Sequence, residues 1–203
     1  MLIIGLTGGI ACGKSAVSTI LRKFGAQILD IDNVTHELLE PSGALFETYV
    51  QHFGKFIVDS EGFLNKKIIG EIIFNHPEER QWINSVSHPI LLNAARDFLE
   101  ECAEYSVEIA VVEVPLLFEA GWEHLFDEIW AVYVGRAKQI WRLVQRDKVT
   151  QQQAVARVNS QMSPEEICRR ADVVINNKKT TANTRKQVYK ALKGRLVRGR
   201  SFG

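Results

Sequence analysis

Short apolar runs alternate along this chain with longer stretches of helical period. The runs at 2–6, 27–31, 107–114, 128–134 and 172–175 predict strands, and those at 107–114 and 128–134 are hydrophobic almost throughout. A strand that meets water on one face alternates, whereas one covered on both faces reads as a continuous apolar run, so these two belong in a parallel sheet. Helical spacing of apolar positions predicts helices over 14–24, 33–39, 44–52, 66–74, 78–104, 137–146, 150–160, 164–170 and 181–193. No internal repeat, low-complexity tract or unstructured linker interrupts the pattern. The interval between the second and third strands is too long for one crossover helix and is expected to hold a helical insertion.

Residues Gly8, Gly9, Ile10, Ala11, Cys12, Gly13, Lys14 and Ser15 form a complete G-x-x-x-x-G-K-[ST] between the first strand and the first helix. A tight turn in that position aims successive backbone N–H groups at phosphate oxygens, at the positive end of the helix dipole. The loop amides of Gly9 to Ala16 are therefore candidate nucleotide contacts. Lys14 is expected against the β- and γ-phosphates, and the Ser15 hydroxyl on the Mg²⁺ that bridges them. The fold class that follows is α/β, a P-loop NTPase-type three-layer fold with a parallel central sheet.

With 203 residues, 46% of them hydrophobic, the chain can bury the core of one compact enzyme-sized unit. A formal charge of +1 gives no sign of nucleic-acid binding. Nine Lys and Arg and no acid follow residue 172. This basic end, with Arg185, Lys186, Lys190, Lys193, Arg195, Arg198 and Arg200, reads as a solvated helix and tail. The three cysteines, Cys12, Cys102 and Cys168, form no C-x-x-C pair and no even framework, which points to a reduced cytoplasmic protein without disulfides. The first apolar run is too short for a membrane span and lacks the basic start of a secretory signal.

Several side chains carry more than one reading. Asp30 and Asp32 end the second strand; two apart in extended chain, both could face the phosphates, or one could cap a helix starting at Asn33. A carboxylate beside such a loop can accept a proton from an attacking hydroxyl. Glu113 is either a Walker-B-like acid holding the magnesium shell through water or a plain strand-end acid. Arg142 and Arg146 share a helix face and precede Arg157, as a closing lid or as solvated arginines. His88 precedes Pro89 and is expected in extended geometry at a helix break. Pro115 shapes the chain after the third strand, Leu116, Leu117 and Phe118 offer an apolar wall, and Glu119 is either a polar contact or a helix-start charge.

The ordered set of Gly5 to Ser15, Leu29-Asp30-Ile31-Asp32 with Glu40-Pro41, His88-Pro89-Ile90, Val114-Pro115-Leu116-Leu117-Phe118-Glu119, Arg157-Val158-Asn159-Ser160-Gln161 and Ala171 to Asn177 resembles the dephospho-coenzyme A kinases. The resemblance implies transfer of the ATP γ-phosphoryl group to the ribose 3′-hydroxyl of dephospho-CoA, the last step of coenzyme A synthesis. It implies one P-loop kinase domain with a core of about 1–32, 105–136 and 165–203, a helical acceptor-binding insertion of about 33–104 and a helical lid of about 137–164. It makes Asp32 the catalytic carboxylate with Lys14 and Arg146, and Arg142 a nucleotide contact. Lys66, His88, Pro115 and Leu116 become acceptor contacts beside Asp32. ATP, Mg²⁺ and dephospho-CoA are the expected partners, with neither nucleic acid nor membrane, for a monomer or weak homo-oligomer.

This chain departs from the usual family pattern in three places. Ala11-Cys12 stands where Gly-Ser is common, Ala16 removes a hydroxyl from the loop's end, and Asn65-Lys66 replaces an Asp-Arg pair. Lys66 keeps the charge of that arginine but loses its planar two-pronged donor. Cys12, beside Lys14 and a helix N-terminus, is expected to have a depressed pKa without nucleotide, or else to be an inert thiol filling space under the loop. Two rival functions remain: a nucleoside monophosphate kinase, differing only in acceptor, and a regulatory GTPase. The latter would use Asp59-Ser60-Glu61-Gly62 as its D-x-x-G, but Asn177-Lys178-Lys179-Thr180 lacks the acid that reads guanine, and Asp59 to Gly62 is better read as a surface turn.

Overall fold

A computed structural model of the chain describes residues 1–196, so Arg198 and Arg200 of the basic tail lie outside the described residues. The strands are β1 (Leu2–Thr7), β2 (Gln27–Asp30), β3 (Ile109–Glu113), β4 (Glu128–Tyr133) and β5 (Val173–Asn176). The helices are α1 (Lys14–Arg22), α2 (Ile31–Leu38), α3 (Phe46–Phe53), α4 (Lys66–Asn75), α5 (Pro77–Glu104), α6 (Arg136–Asp147), α7 (Gln151–Asn159), α8 (Pro164–Arg170) and α9 (Thr181–Leu196). They form two compact units, one of Met1–Leu29 with the chain from Glu101 onward, the other of Asp30–Glu100.

The first unit is built on the sheet, in the order β2-β3-β1-β4-β5. The registers of β1 with β3, β1 with β4 and β4 with β5 are all parallel, setting Leu6 opposite both Glu113 and Trp130. Alternation along β1 explains its apolar sequence. Ile4 and Leu6 are fully buried with Trp130, Val132, Val17, Leu21, Val188 and Leu192 on one face, while Gly5 lies against Phe126 and Leu117 on the other. All five residues of β3 are buried. The chain leaves β1 toward one edge, returns to β3 beside it, and then builds β4 and β5 on the opposite side. The order thus reverses at β1, and in open parallel sheets ligands collect at the strand ends where this happens.

Local signals set the helices around that point. Thr150 and Gln153 close a reciprocal capping box on α7, and Ser163 caps α8 ahead of Pro164 in its first turn. The α6 stripe buries Leu143 completely, packed with Ala154 and Val158 of α7 and with Ile10 and Ala11 of the loop. Burying a leucine of this kind contributes about 1.5–3 kcal/mol.

In the second unit α3, α4 and α5 enclose Leu45, Tyr49, Ile57, Leu64, Ile69 and Ile83. His52 stacks on Trp82 with ring centroids 3.5 Å apart. Asp59 accepts from the N–H groups of Glu61 and Phe63 and heads the turn between bridged Val58 and Leu64, the surface turn expected for 59–62.

Two expectations need correction. The helix assigned to begin at Asn33 begins at Ile31, because Asp30 is its N-cap and accepts from the Asp32 N–H at 3.0 Å; Asp32 is therefore helical, and the same-face argument for the two acids fails. His88 sits at no helix break, since α5 runs unbroken through Pro89. The proline forfeits one backbone hydrogen bond, and a long helix with ladder bonds on both sides absorbs that loss.

Candidate active site

The glycine-rich loop follows β1 and leads into α1. Gly8 and Gly13 take φ of 147° and 92°. A side chain at Gly8 would meet the Val132 carbonyl at 2.6 Å, and one at Gly13 would run into the Asn177 amide. Gly13 is the N-cap of α1 and no side chain caps this helix. Helix geometry leaves the first amides of α1 without partners along the helix, so they are available to an anion. Ala11 adopts φ 59°, a left-handed conformation that costs an alanine about 1–2 kcal/mol and that glycine would take freely. The Ala11 departure from the family pattern is thus a backbone cost built into the loop.

Outside the loop, side chains hold its carbonyl oxygens. Arg142 donates from Nη1 to Ala11 O and Cys12 O, both at 3.0 Å, and from Nη2 to Asn177 O at 3.4 Å. Asn177 donates Nδ2 to Cys12 O at 2.9 Å while its Oδ1 accepts from the Thr184 hydroxyl at 2.9 Å. Gln139 donates Nε2 to Ile10 O at 2.9 Å, and the Ile10 N–H donates to Gln161 Oε1 at 2.7 Å. With the carbonyls of Ile10, Ala11 and Cys12 engaged by side chains, none of the three is left to face a phosphate. Lys14 folds back and donates to Gly8 O at 3.2 Å, and Ser15 stands exposed in the first turn of α1.

Beyond the neighbouring strand end, buried Glu113 accepts from the Ser18 hydroxyl of α1 at 2.5 Å. The Thr7 hydroxyl reaches Pro115 O at 3.4 Å, tying the ends of β1 and β3 together. Leu116 is exposed, whereas Leu117 and Phe118 are buried; the apolar wall expected from all three reduces to Leu116. Phe118 carries the Arg170 guanidinium over its ring at 4.4 Å. Glu119 lies in a turn rather than at a helix start and accepts from the Met162 N–H at 3.1 Å. At the end of α6, Arg146 pairs with Asp147 at 2.7 Å and Arg157 reaches the same carboxylate from α7 at 3.0 Å.

The Cys12 thiol contradicts the expected depressed pKa. Cys12 is 1% exposed, and burial pushes its thiol up, outweighing the Lys14 charge, the Lys14 N–H and the Arg142 charge that pull it down. All three cysteines are free. In the other unit, exposed Asp32 lies in the first turn of α2. Lys66 donates to His36 Nε2 at 2.5 Å, and His36 Nδ1 faces Glu40 at 3.0 Å, a relay of contacts through three side chains. His88 is half-buried, and burial lowers its pKa, so it is neutral at pH 7.

A glycine-rich turn on an uncapped helix N-terminus fits a phosphate, and comparison with known proteins gives the family. The dephospho-CoA kinase family matches residues 2–183. The chain belongs to that family. The dephospho-CoA kinase of Carboxydothermus hydrogenoformans is 39% identical over 190 residues, 94% of this chain and 92% of the relative. Among solved structures, TT1252 from Thermus thermophilus superposes with a TM-score of 0.81 at 28% identity, covering 96% of this chain and 97% of its own. The dephospho-CoA kinase from Campylobacter jejuni gives a TM-score of 0.68 at 28% identity, covering 94% and 95%.

Sequence reading assigned no role to four residues that the structure places around the loop and the β3 end: Gln139, Asn177, Thr184 and Ser18. Gln139 carried a readable signal, a polar residue four positions before Leu143 on the buried stripe of α6. Asn177 carried none, because its amide acts across 165 residues of chain.

Proposed function

We propose that this chain transfers the γ-phosphoryl group of ATP to the 3′-hydroxyl of the dephospho-CoA ribose, giving coenzyme A and ADP. The observation that carries the reading is the loop itself. The carbonyls of Ile10, Ala11 and Cys12 are bound from outside by side chains of α6 and the β5 end, on an uncapped helix N-terminus. Amides so directed are prepared for the charge of a polyphosphate and need no reorganisation when it arrives.

The roles follow from charge and reach. Of the amides from Gly9 to Ala16, those not bound within the protein hold the β- and γ-phosphates, the Ile10 N–H being held by Gln161, and Lys14 leaves Gly8 O for the oxygen between them. Arg142 serves the nucleotide through the loop carbonyls, and Arg146 neutralises charge spreading over the transferring group. Asp32 orients the ribose hydroxyl in line and accepts its proton late, as a loose transition state requires. Lys66, His88, Pro115 and Leu116 are the proposed acceptor contacts, His88 as a neutral donor or acceptor. A departed Lys66 would break the relay through His36, which weakens acceptor selection rather than the chemistry.

The donor set fits magnesium. Among the described residues no group of three His, Cys, Asp or Glu could hold a metal alone, and Mg²⁺ commonly takes one or two protein oxygens with substrate phosphates and water. The Ser15 hydroxyl is such an oxygen, with Glu113 behind it on Ser18. Bound there, the ion supplies neutralisation of the β- and γ-phosphate charge. We place the protein in the cytoplasm, where three free thiols persist, as a monomer or weak homo-oligomer; among the described residues no helix is long and apolar enough to cross a membrane.

Incubation of the purified chain with Mg-ATP and dephospho-CoA, followed by product mass, tests the reading. Product heavier by one phosphoryl group is expected with dephospho-CoA and not with AMP or UMP. Preferential phosphorylation of AMP or UMP would replace this reading with a nucleoside monophosphate kinase.

A further inference from the structure

Ile10 is the described loop residue whose N–H and C=O are both held by side chains, and both holders are glutamines from the lid segment. Gln139 of α6 is 2% exposed and donates Nε2 to Ile10 O. Gln161, between α7 and α8, accepts the Ile10 N–H. We propose that Gln139 and Gln161 are positioning residues for the transfer reaction, a two-sided clamp that fixes the two peptide planes flanking Ile10 and thereby aims the loop amides that follow at the β- and γ-phosphates.

Three observations beyond the two bonds carry this. Gln139 Oε1 is the buried side-chain oxygen with no hydrogen-bond partner among the described residues. A leucine or methionine would fill the α6 stripe without that desolvation cost, so the donor half of the amide is what the position requires. The amide orientation is fixed by chemistry, since only Nε2 can donate to Ile10 O. Next, Gln139 packs so tightly on Gly9 that a side chain there would lie 2.5 Å from Nε2 and 3.7 Å from Gln161 Oε1. The second glycine of the motif is therefore where the clamp meets the backbone. Finally, the Gln161 segment is anchored in turn, because the adjacent Met162 N–H donates to Glu119 on the chain after β3.

The clamp has a mechanical consequence. Gln139 and Arg142 are three apart on α6 and both grip the loop, so the N-terminal half of α6 moves with the loop. Arg146, one turn further, is then referred to the phosphates by a rigid helix rather than by a free lid. A peptide plane left unheld can rotate and replace an inward N–H with an inward C=O, which repels a phosphate.

The inference rests on the proposed reading that this loop holds ATP. Its test is nucleotide affinity as a function of phosphate count, using Gln139→Met and Gln161→Met with AMP, ADP and ATP in titration calorimetry. Each variant is expected to weaken ADP and ATP about ten-fold, the loss of one hydrogen bond and its orientation. AMP affinity and the KM for dephospho-CoA are expected to stay within about two-fold, because neither engages this part of the loop. The double variant is expected to lose less than the product of the two, since both hold the peptide planes on either side of one residue. Unchanged ADP affinity in both single variants, or equal weakening of AMP and ADP, overturns the clamp. Where Gln139→Met fails to fold, Gln161→Met at its half-buried position decides alone. Wild-type protein that binds no ADP overturns the functional reading instead.

Discussion

Asn177 and Thr184 offer the sharpest test of how the loop is held from behind. Asn177 is 7% and Thr184 1% exposed. The Asn177 side chain spans two bonds of 2.9 Å, one to Cys12 O and one from the Thr184 hydroxyl. Replacement of Asn177 by Ala removes both, yet leaves neither neighbour orphaned, because Cys12 O keeps Arg142 and the Thr184 hydroxyl keeps Thr180 O. At about 1 kcal/mol per net bond the cost is about 2 kcal/mol, or a fall of about 4–8 °C in Tm for a chain of this size. Thr184→Val does the reverse and leaves Asn177 Oδ1 buried without its donor, for about 1–3 kcal/mol. Once Asn177 is gone the Thr184 hydroxyl has lost its acceptor there, so the double variant should cost about 1 kcal/mol less than the sum. Urea unfolding followed through Trp130, fully buried in the same unit, measures all three. Additivity within about 0.5 kcal/mol would mean that the two side chains do not act together, and the supporting chain from α9 to the loop would be refuted.

Asp32→Asn should lower kcat far more than it raises the KM for ATP, as expected of a group that acts on the acceptor hydroxyl; wild-type turnover would remove Asp32 from its role. Cys12 should alkylate slowly at pH 7 with or without Mg-ATP, because burial holds the thiol protonated; fast labelling of the nucleotide-free protein, blocked by ATP, would restore the reactive-thiol expectation. Asp147 has its pKa lowered by the hydrogen bond from Arg146 first, and by the charges of Arg146 and Arg157. A depressed carboxyl adds stability above its unfolded pKa and loses it as pH falls through the folded value. The stability gap between wild type and Asp147→Asn should therefore be flat at neutral pH and close in acid; a gap that widens in acid would contradict the pairing.

The fold was largely legible because its signals are local or periodic. Buried strands announce themselves by continuous hydrophobicity, and β3 is buried at every position. The capping box of Thr150 and Gln153 lies within four residues. The misreadings came where one local rule competed with another. Asp30-Ile31-Asp32 alternates like a strand end, but Asp30 caps α2 and turns Ile31 and Asp32 into its first turn. Pro89 follows the rule that proline disfavours helix at the preceding residue, yet α5 has enough ladder on either side to continue.

The site was legible only on its inner surface. The motif names Lys14, Ser15 and the glycines because their chemistry depends on adjacency, while the groups that give the loop its shape are scattered over α6, the α7 to α8 link, β5 and α9. Arg142 illustrates the difference. Spacing and resemblance make it a nucleotide ligand, while its Nη1 is committed to Ala11 O and Cys12 O, carbonyls that would lose a donor if it turned away. In the proposed complex its positive charge would act on ATP through those two oriented peptide groups. A lysine there would keep the charge but could not span two carbonyls and Asn177 O with one planar fork. Arg142→Lys should therefore loosen the loop's geometry while preserving the field, and that separation is why a charge placed by spacing in a sequence motif does not by itself identify a ligand contact.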